Sequence, residues 1–464
     1  MLYILLVGAA ARLILLFGSP LPILEGDASR TRFDGRLVNQ GINPYEFRPE
    51  HLMDGNPADQ NLNGERLERL LRARAALSAS TDAPRPEELR RPDLRSTATP
   101  LQIWISALAD RFKPASTRGY AYFVLLADAL AMFLLVLALR RAGLPPGWLI
   151  VYAWCPVLLR EAYVTLAVDA FLLPAIAAIV YGIAAGKKLF LAIPIALAAS
   201  LRLPLLLLNI VHARRMGLLG FLLVFGLCSL PFLPLVPSKV PVASYAEGQV
   251  HLWRHYEYNS LGENLLRGMF RYLPTKAENS LSLAGVSVVA PDERLDVLLA
   301  KVLAALIMLG VATYLLIRVP AYALSADTDR REGFTELFIA LVAILLLGPM
   351  LTPAQSLWLL PLLVVRPAGI SWLMLPALVS TSYLTHLAGP DAADLTLLDG
   401  KLSFRLFEYG AFALLLLLDL LWREVLLPMP ESAQPGRALP AVEEDLAVDI
   451  LDHEQAEAEA SLRF

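Results

Sequence analysis

The sequence predicts an all-α, polytopic membrane protein, and three observations carry that prediction. Of its 464 residues, 56% are hydrophobic and only 18% are charged, too few polar side chains to clothe a water-soluble fold of that size. The apolar residues run in nearly unbroken blocks, among them 2–17, 120–139, 218–236, 297–316 and 410–421. Most approach the roughly 20 residues a helix needs to cross about 30 Å of hydrocarbon. The short alternating segments of a closed β-barrel are not visible.

The first block carries Arg12 in its middle, no basic run before it and no clear small-x-small site after it. It therefore reads as a retained helix and not as a cleaved signal. Lys and Arg set the orientation of the rest. Arg140–Arg141, Lys187–Lys188, Arg214–Arg215, Arg318, Arg330–Arg331, Arg366 and Arg423 all lie in short loops or at block ends, and all face the cytoplasm if the N-terminus is inside. Spans then fall near 2–18, 117–139, 146–160, 163–185, 188–200, 202–213, 217–237, 296–318, 335–350, 353–366, 368–386 and 403–423. This makes a bundle of about twelve transmembrane helices or half-helices. Several are too short to cross alone. Those broken at Pro204, Pro353 or near Arg160 are expected to be half-helices or tilted hairpins with their freed backbone groups buried in protein.

The multispan domain thus covers 1–427, with two long segments facing outward, 19–116 and 237–294. The first holds two amphipathic patterns. Phe33 and Leu37 share one helical face, and Leu67, Leu70, Leu71 and Ala75 share another. Such helices suit either a flat position on the outer leaflet or a small outer domain. Residues 428–464 form an acidic tail that reads as a solvated cytoplasmic end. Cys155 and Cys228 sit inside apolar blocks, which argues against a disulfide framework or a zinc site. A net charge of −3 gives no general attraction to nucleic acid.

Ionisable residues inside spans are costly, so each needs a partner or a task. With the topology above, most gather at the outer level: Asp27 after the first span, Arg160 and Glu161 at the next outer turn, Asp169 about two turns below, Arg202, and Arg405 with Glu408. The turn Thr352–Gln355 and His386 share that level. Asp128 and Asp419 lie deeper and read as helix-packing partners. The set outlines one polar cavity. Carboxylates there can act as general bases toward a hydroxyl, and guanidiniums clamp phosphate. Sugar transfer from a lipid phosphate uses both.

Residues 26–45, GDASRTRFDGRLVNQGINPY, resemble the first outer loop of bacterial GT-C fold glycosyltransferases, which use polyprenyl-phosphate-linked sugars such as mannose. The shared features are an acidic residue after span one, an aromatic-Asp-Gly-Arg helix and a Gly-hydrophobic-Asn-Pro-Tyr turn. Fainter similarities follow in Arg90–Leu94 with Pro100-Leu101-Gln102, in Trp154-Cys155-Pro156 with Glu161 and Asp169, in Arg202–Leu205, and in Trp358–Pro361. Gly26, Ala98 and Ala167 depart from the family pattern.

The resemblance implies a GT-C-like bundle performing inverting transfer of a hexose, most readily mannose, to a lipid-linked or envelope glycan. Asp27 would be the catalytic base. Arg30, Asp34, Glu161, Asp169 and Arg202 would border the donor sugar and phosphate. Asn43, Tyr45, Arg91 and Asp93 are candidates for substrate contact in the first loop. In the second loop, His251, Trp253, Arg254, His255, Tyr258 and Asn259 could stack on and hydrogen-bond a sugar, or form an interfacial aromatic belt. Arg267 and Arg271, four residues apart, suit a lipid phosphate. Nothing resembles a metal-ligand cluster, so no cofactor is expected, although Asp27 with Asp169 or Glu161 could hold a divalent ion. The expected location is the bacterial inner membrane with the site facing outward. A lipid-linked glycan flippase would place similar charges at mid-membrane depth between repeats. A non-catalytic glycan-binding scaffold would keep the cavity without the reaction.

Overall fold

The computed structural model describes residues 1–18, 27–52, 64–78, 89, 92–114, 116–187, 189–238, 242–255, 261–270, 281–283, 286–289, 295–318, 326–348, 351–366, 369–381, 396–397 and 402–421. These are predominantly helical. The N-terminal part comprises α1 (Leu2–Gly18), α2 (Asp27–Asn39), α3 (Gly64–Ser78), α4 (Pro100–Phe112), α5 (Thr117–Arg141), α6 (Ile150–Ala153), α7 (Pro156–Tyr163) and α8 (Leu172–Ala184). There follow α9 (Ala192–Leu201), α10 (Leu207–Val211), α11 (Ala213–Ser229), α12 (Val242–His255), α13 (Leu261–Phe270), α14 (Leu295–Arg318) and α15 (Ala326–Leu347). The last are α16 (Pro353–Ser356), α17 (Leu360–Val365), α18 (Ile370–Ser380) and α19 (Phe404–Leu421). Two small antiparallel pairings, Leu281–Leu283 with Val286–Val289 and Thr396–Leu397 with Leu402–Ser403, interrupt the helices.

Three helical stretches are long and apolar enough to cross a bilayer: Thr117–Arg141, Ala213–Leu235 and Leu295–Arg318. A fourth would be the pair Pro156–Tyr163 and Val168–Ala184, bent by 108°. Shorter apolar helices include Leu2–Gly18, Ala192–Leu201 and Ile370–Ser380. Proline explains several breaks, because the residue before it is pushed out of the helical region. Cys155 before Pro156 and Thr352 before Pro353 are both extended. The bend after α7 has a different cause. Leu166, buried and without glycine's freedom, sits at φ 52°, a conformation that costs about 1–3 kcal/mol and persists only where packing enforces it.

The main core joins α5 and α8, the most extensive helix pair, with α9, α11, α15 and α17. The deep charges are neutralised inside it. The Arg12 guanidinium pairs with Asp128 and donates to the carbonyls of Gly8 (2.9 Å) and Ala153 (2.8 Å). The hydroxyls of Tyr152 and Tyr163 donate to the same carboxylate at 2.8 and 2.7 Å. Asp419 on α19 accepts the backbone N–H of Ile370 (3.0 Å) and Ser371 (2.8 Å), supplying partners for two amides that a helix start leaves open. The packing role expected for Asp128 and Asp419 is the one they have.

The amphipathic helices of the first loop do not lie side by side with bare apolar faces. Phe33, Leu37, Ile42, Phe47, Leu52, Leu70, Ala73 and Leu89 bury one another in a separate small core, which favours the outer-domain reading. On α3 the buried stripe is Leu70 and Ala73 with Leu67 partly covered, whereas Leu71 and Ala75 are exposed. The buried face is rotated from the expected one, since Leu67, Leu70 and Ala73 enter the small core with Phe33 and Leu37.

Gly35 lets α2 lie against α4. A Cβ there would meet the Ala107 backbone nitrogen at 2.6 Å. Gly35→Ala is expected to lower stability by about 1–3 kcal/mol, since rigid backbone must move to admit a methyl group. Unchanged thermal unfolding of that variant in detergent would contradict this packing.

Helix α12 docks on residues 48–97. Glu247 of α12 accepts from Arg48 at 3.1 Å and pairs with Arg95, and Gln249 donates to the Thr97 carbonyl.

Candidate functional site

Asp169 and Arg202 meet. Asp169 lies on the buried 3-10 turn Val168–Phe171 that follows the Leu166 bend. Arg202 ends α9 in extended conformation and is also the N-cap of the 3-10 turn Leu203–Leu206. Their side chains form a two-pronged pair, with Nε to Oδ1 at 3.0 Å and Nη2 to Oδ2 at 2.8 Å. The Trp358 indole adds a third donor, Nε1 to Oδ1 at 3.1 Å. Two parallel bonds fix the guanidinium plane as one bond could not. Asp169 is nearly covered, with 7% of its side chain exposed, while Arg202 keeps 21%. The pair therefore opens at its guanidinium end. Three donors therefore converge on the Asp169 carboxylate.

Glu161 stands one bend away on the last turn of α7 and is buried. The Thr165 hydroxyl spans its carbonyl (2.8 Å) and its carboxylate (3.2 Å). Next to it, Thr352 and Gln355 form a reciprocal cap at the start of α16, which packs on α7 and on the Asp169 turn.

A second pair is fully enclosed. Arg30 and Asp34, one turn apart on α2, approach at 3.4 Å. Arg30 also donates to the Leu94 carbonyl at 2.6 Å, and the Ser96 hydroxyl donates to Asp34 at 2.6 Å. Burial pushes the Asp34 carboxyl above its ordinary value, and the opposing pull of Arg30 and Ser96 only moderates it. The sign follows. An acid whose folded pKa is raised favours the fold when protonated, so its contribution is full below about pH 4 and fades as pH rises through the raised value. The stability lost over that interval is expected to disappear in Asp34→Asn, read as melting temperature against pH. An identical slope in both proteins would refute it.

The two pairs are joined through backbone. Ser96 also accepts from the Ala98 N–H at 3.3 Å, and the Ala98 carbonyl accepts from the Tyr45 hydroxyl at 2.6 Å. At the start of α4, Gln102 accepts from the Thr99 N–H (2.9 Å) and donates to the Leu201 carbonyl (2.8 Å), directly before Arg202. The strings singled out in the first loop, at 98–102, at 202 and at 358 thus lie along one connected track. No protein-family model, curated protein or solved structure matches this chain.

Other candidates are placed differently. Asn43 and Tyr45 are buried and hold the loop together. Asn43 accepts from the Tyr45 N–H (3.0 Å) and donates to the Tyr245 hydroxyl (3.0 Å) and the Leu235 carbonyl (3.2 Å), and the Tyr45 and Tyr245 rings lie 4.9 Å apart. Asp93 is exposed and His251 half-buried. Arg267 pairs with Asp296 at 2.7 Å, a protein partner for a residue read as a lipid contact. The side chains of Asp27, Trp253, Arg254, His255, Arg405 and Glu408 lie outside the described residues, as do Arg91, Tyr258, Asn259, Arg271 and His386.

Among the described residues Asp169 pairs with Arg202 and Arg30 with Asp34, while three side chains of the expected single cavity, those of Asp27, Arg405 and Glu408, lie outside the described residues. A carboxylate and a guanidinium at this distance neutralise each other more effectively than either would alone in low dielectric. Ser96 and Trp358 were not anticipated as participants. The only trace of Trp358 in the sequence was its place in a Trp-Leu-Leu-Pro string after a capped turn.

Proposed function

We propose that this chain is a membrane-embedded glycosyltransferase of GT-C type. It would transfer a hexose, with mannose the first choice, from a polyprenyl phosphate to a lipid-linked or envelope glycan on the outer face of a bacterial inner membrane. The bundle of about twelve spans or half-spans belongs to this proposal. The observation that supports it is the Asp169–Arg202–Trp358 constellation at the partly open end of α9, tied through Gln102 to the loop that begins at Asp27.

In this reading the acceptor hydroxyl loses its proton to Asp27 as its oxygen attacks the anomeric carbon. The bond to the phosphate oxygen breaks, and inversion follows from the single displacement. Arg202, held in plane by Asp169, faces the charge that grows on the departing phosphate. Arg30 and Asp34 fix the helix that presents Asp27, one turn from its start.

Purified protein supplied with polyprenyl-phosphate mannose and a lipid-linked glycan tests this directly. Sugar transfer by the native chain, reduced on the order of 100-fold or more in Asp27→Asn, is the expected result. Undiminished transfer by that variant would remove Asp27 from the role of base. Movement of glycan across vesicles without a new glycosidic bond would favour a flippase instead.

A further inference from the structure

A cleft separate from the Asp169–Arg202 pair lies where α2, α4 and α5 meet. It is lined by Arg32, Arg36, Asp110, Ser116 and Tyr120, with Ser106 and Ala109 beneath. Arg32 and Arg36 stand four residues apart, which puts both guanidiniums on one face of α2. Arg32 is fixed there by a 2.8 Å bond to the Thr117 hydroxyl. Asp110 is the one acid of the lining, and Asn39 donates to it at 3.0 Å. Three further cations, Arg111, Lys113 and Arg118, are exposed on the adjoining ends of α4 and α5. The Tyr120 ring packs edge-on against Phe171 at 5.4 Å and walls the cleft off from the turn that carries Asp169.

The depth of the cleft is set by its neighbours. It sits at the first turn of Thr117–Arg141, a 25-residue apolar span. Beside it on α4, Leu108 and Phe112 are 55% and 69% exposed, and Phe112 meets Phe123 of the span edge-on. Apolar side chains bare on one flank and cations on the other mark the level at which acyl chains give way to phosphates.

We propose that this cleft binds the phosphate of an anionic phospholipid headgroup from the surrounding bilayer. Two guanidiniums present planar donor pairs to phosphate oxygens, and the neighbouring cations favour lipids with net negative charge over zwitterionic ones. The exposed Phe112 and Leu108 would lie along the acyl chains of the same molecule.

Native mass spectrometry of the full-length protein in detergent, titrated separately with phosphatidylglycerol, phosphatidylcholine and soluble glycerol phosphate, tests the assignment. Phosphatidylglycerol is expected to bind at least about tenfold more tightly than phosphatidylcholine, at roughly one cation's worth of attraction per arginine. The Arg32→Gln/Arg36→Gln variant should bring phosphatidylglycerol down to the phosphatidylcholine level and leave the latter unchanged. Because Arg32 also ties α2 to α5, Arg36→Gln alone decides the matter if the double variant loses helicity, and about a threefold to fivefold loss is expected from it. Equal affinity for the two lipids in the native protein, or a preference that Arg36→Gln leaves undiminished, overturns the proposal. Displacement of phosphatidylglycerol by an equal concentration of glycerol phosphate would overturn it too, by showing a site for free phosphate.

Discussion

Asp128→Ala is expected to destabilise the protein by about 3–5 kcal/mol, the cost of leaving one buried charge without its counterion. The variant strands the Arg12 guanidinium, only 2% exposed, with two backbone carbonyls as neutral acceptors. It also removes the acceptor of the Tyr152 and Tyr163 hydroxyls, and each buried donor left unmet adds about 1–3 kcal/mol before any relaxation. Four helices, α1, α5, α6 and α7, converge on that carboxylate, so the loss should spread beyond one contact. The informative comparison is Arg12→Leu/Asp128→Leu, which removes both charges and should cost much less than either single charge deletion. Denaturant unfolding in mixed micelles reads the difference. If Asp128→Ala unfolds no more easily than the doubly apolar protein, the network contributes little.

The second large effect belongs to the proposed reaction. Arg202→Ala should lower kcat/KM for the polyprenyl-phosphate donor by about 100-fold to 1,000-fold, the range found when one preorganised donor to a developing oxyanion is deleted. Arg202→Lys should recover only a minor part, because an ammonium cannot hold Asp169 at two points and face a phosphate as well. A purely structural part for Arg202 predicts the opposite ordering. Activity would then follow the fraction of folded protein in both variants, and lysine would restore it whenever it restores the melting temperature.

Much of this arrangement was legible because charge in an apolar sequence is conspicuous. Asp128 and Asp419 stood out as buried carboxylates needing partners, and Asp169 and Arg202 as residues of one depth. Depth, however, is only one coordinate. It could not say that Arg30 would close on Asp34 while Arg202 closed on Asp169, since both outcomes neutralise the same charges. Trp358 lies 189 residues from the carboxylate it touches, and no local pattern encodes such a meeting. The bend at Leu166 was hidden for another reason. Leucine carries no preference for φ 52°, so the conformation is imposed by packing and leaves no mark in the chain. The proline-driven break at Pro353 was readable, because its cause is covalent, whereas the one at Pro156 fell inside an expected span. On α3 the expected face held Leu71 and Ala75, and the small core took Leu70 and Ala73 instead.

The grip of Asp419 on α18 has a bearing on the order of assembly. The amides of Ile370 and Ser371 await a carboxylate made 49 and 48 residues later. Until α19 has been synthesised, the start of α18 must borrow water or lipid headgroups as acceptors. A ribosome stalled between those two points should hold a nascent chain whose 370–380 region is still open to protease, and its closure would mark the arrival of α19.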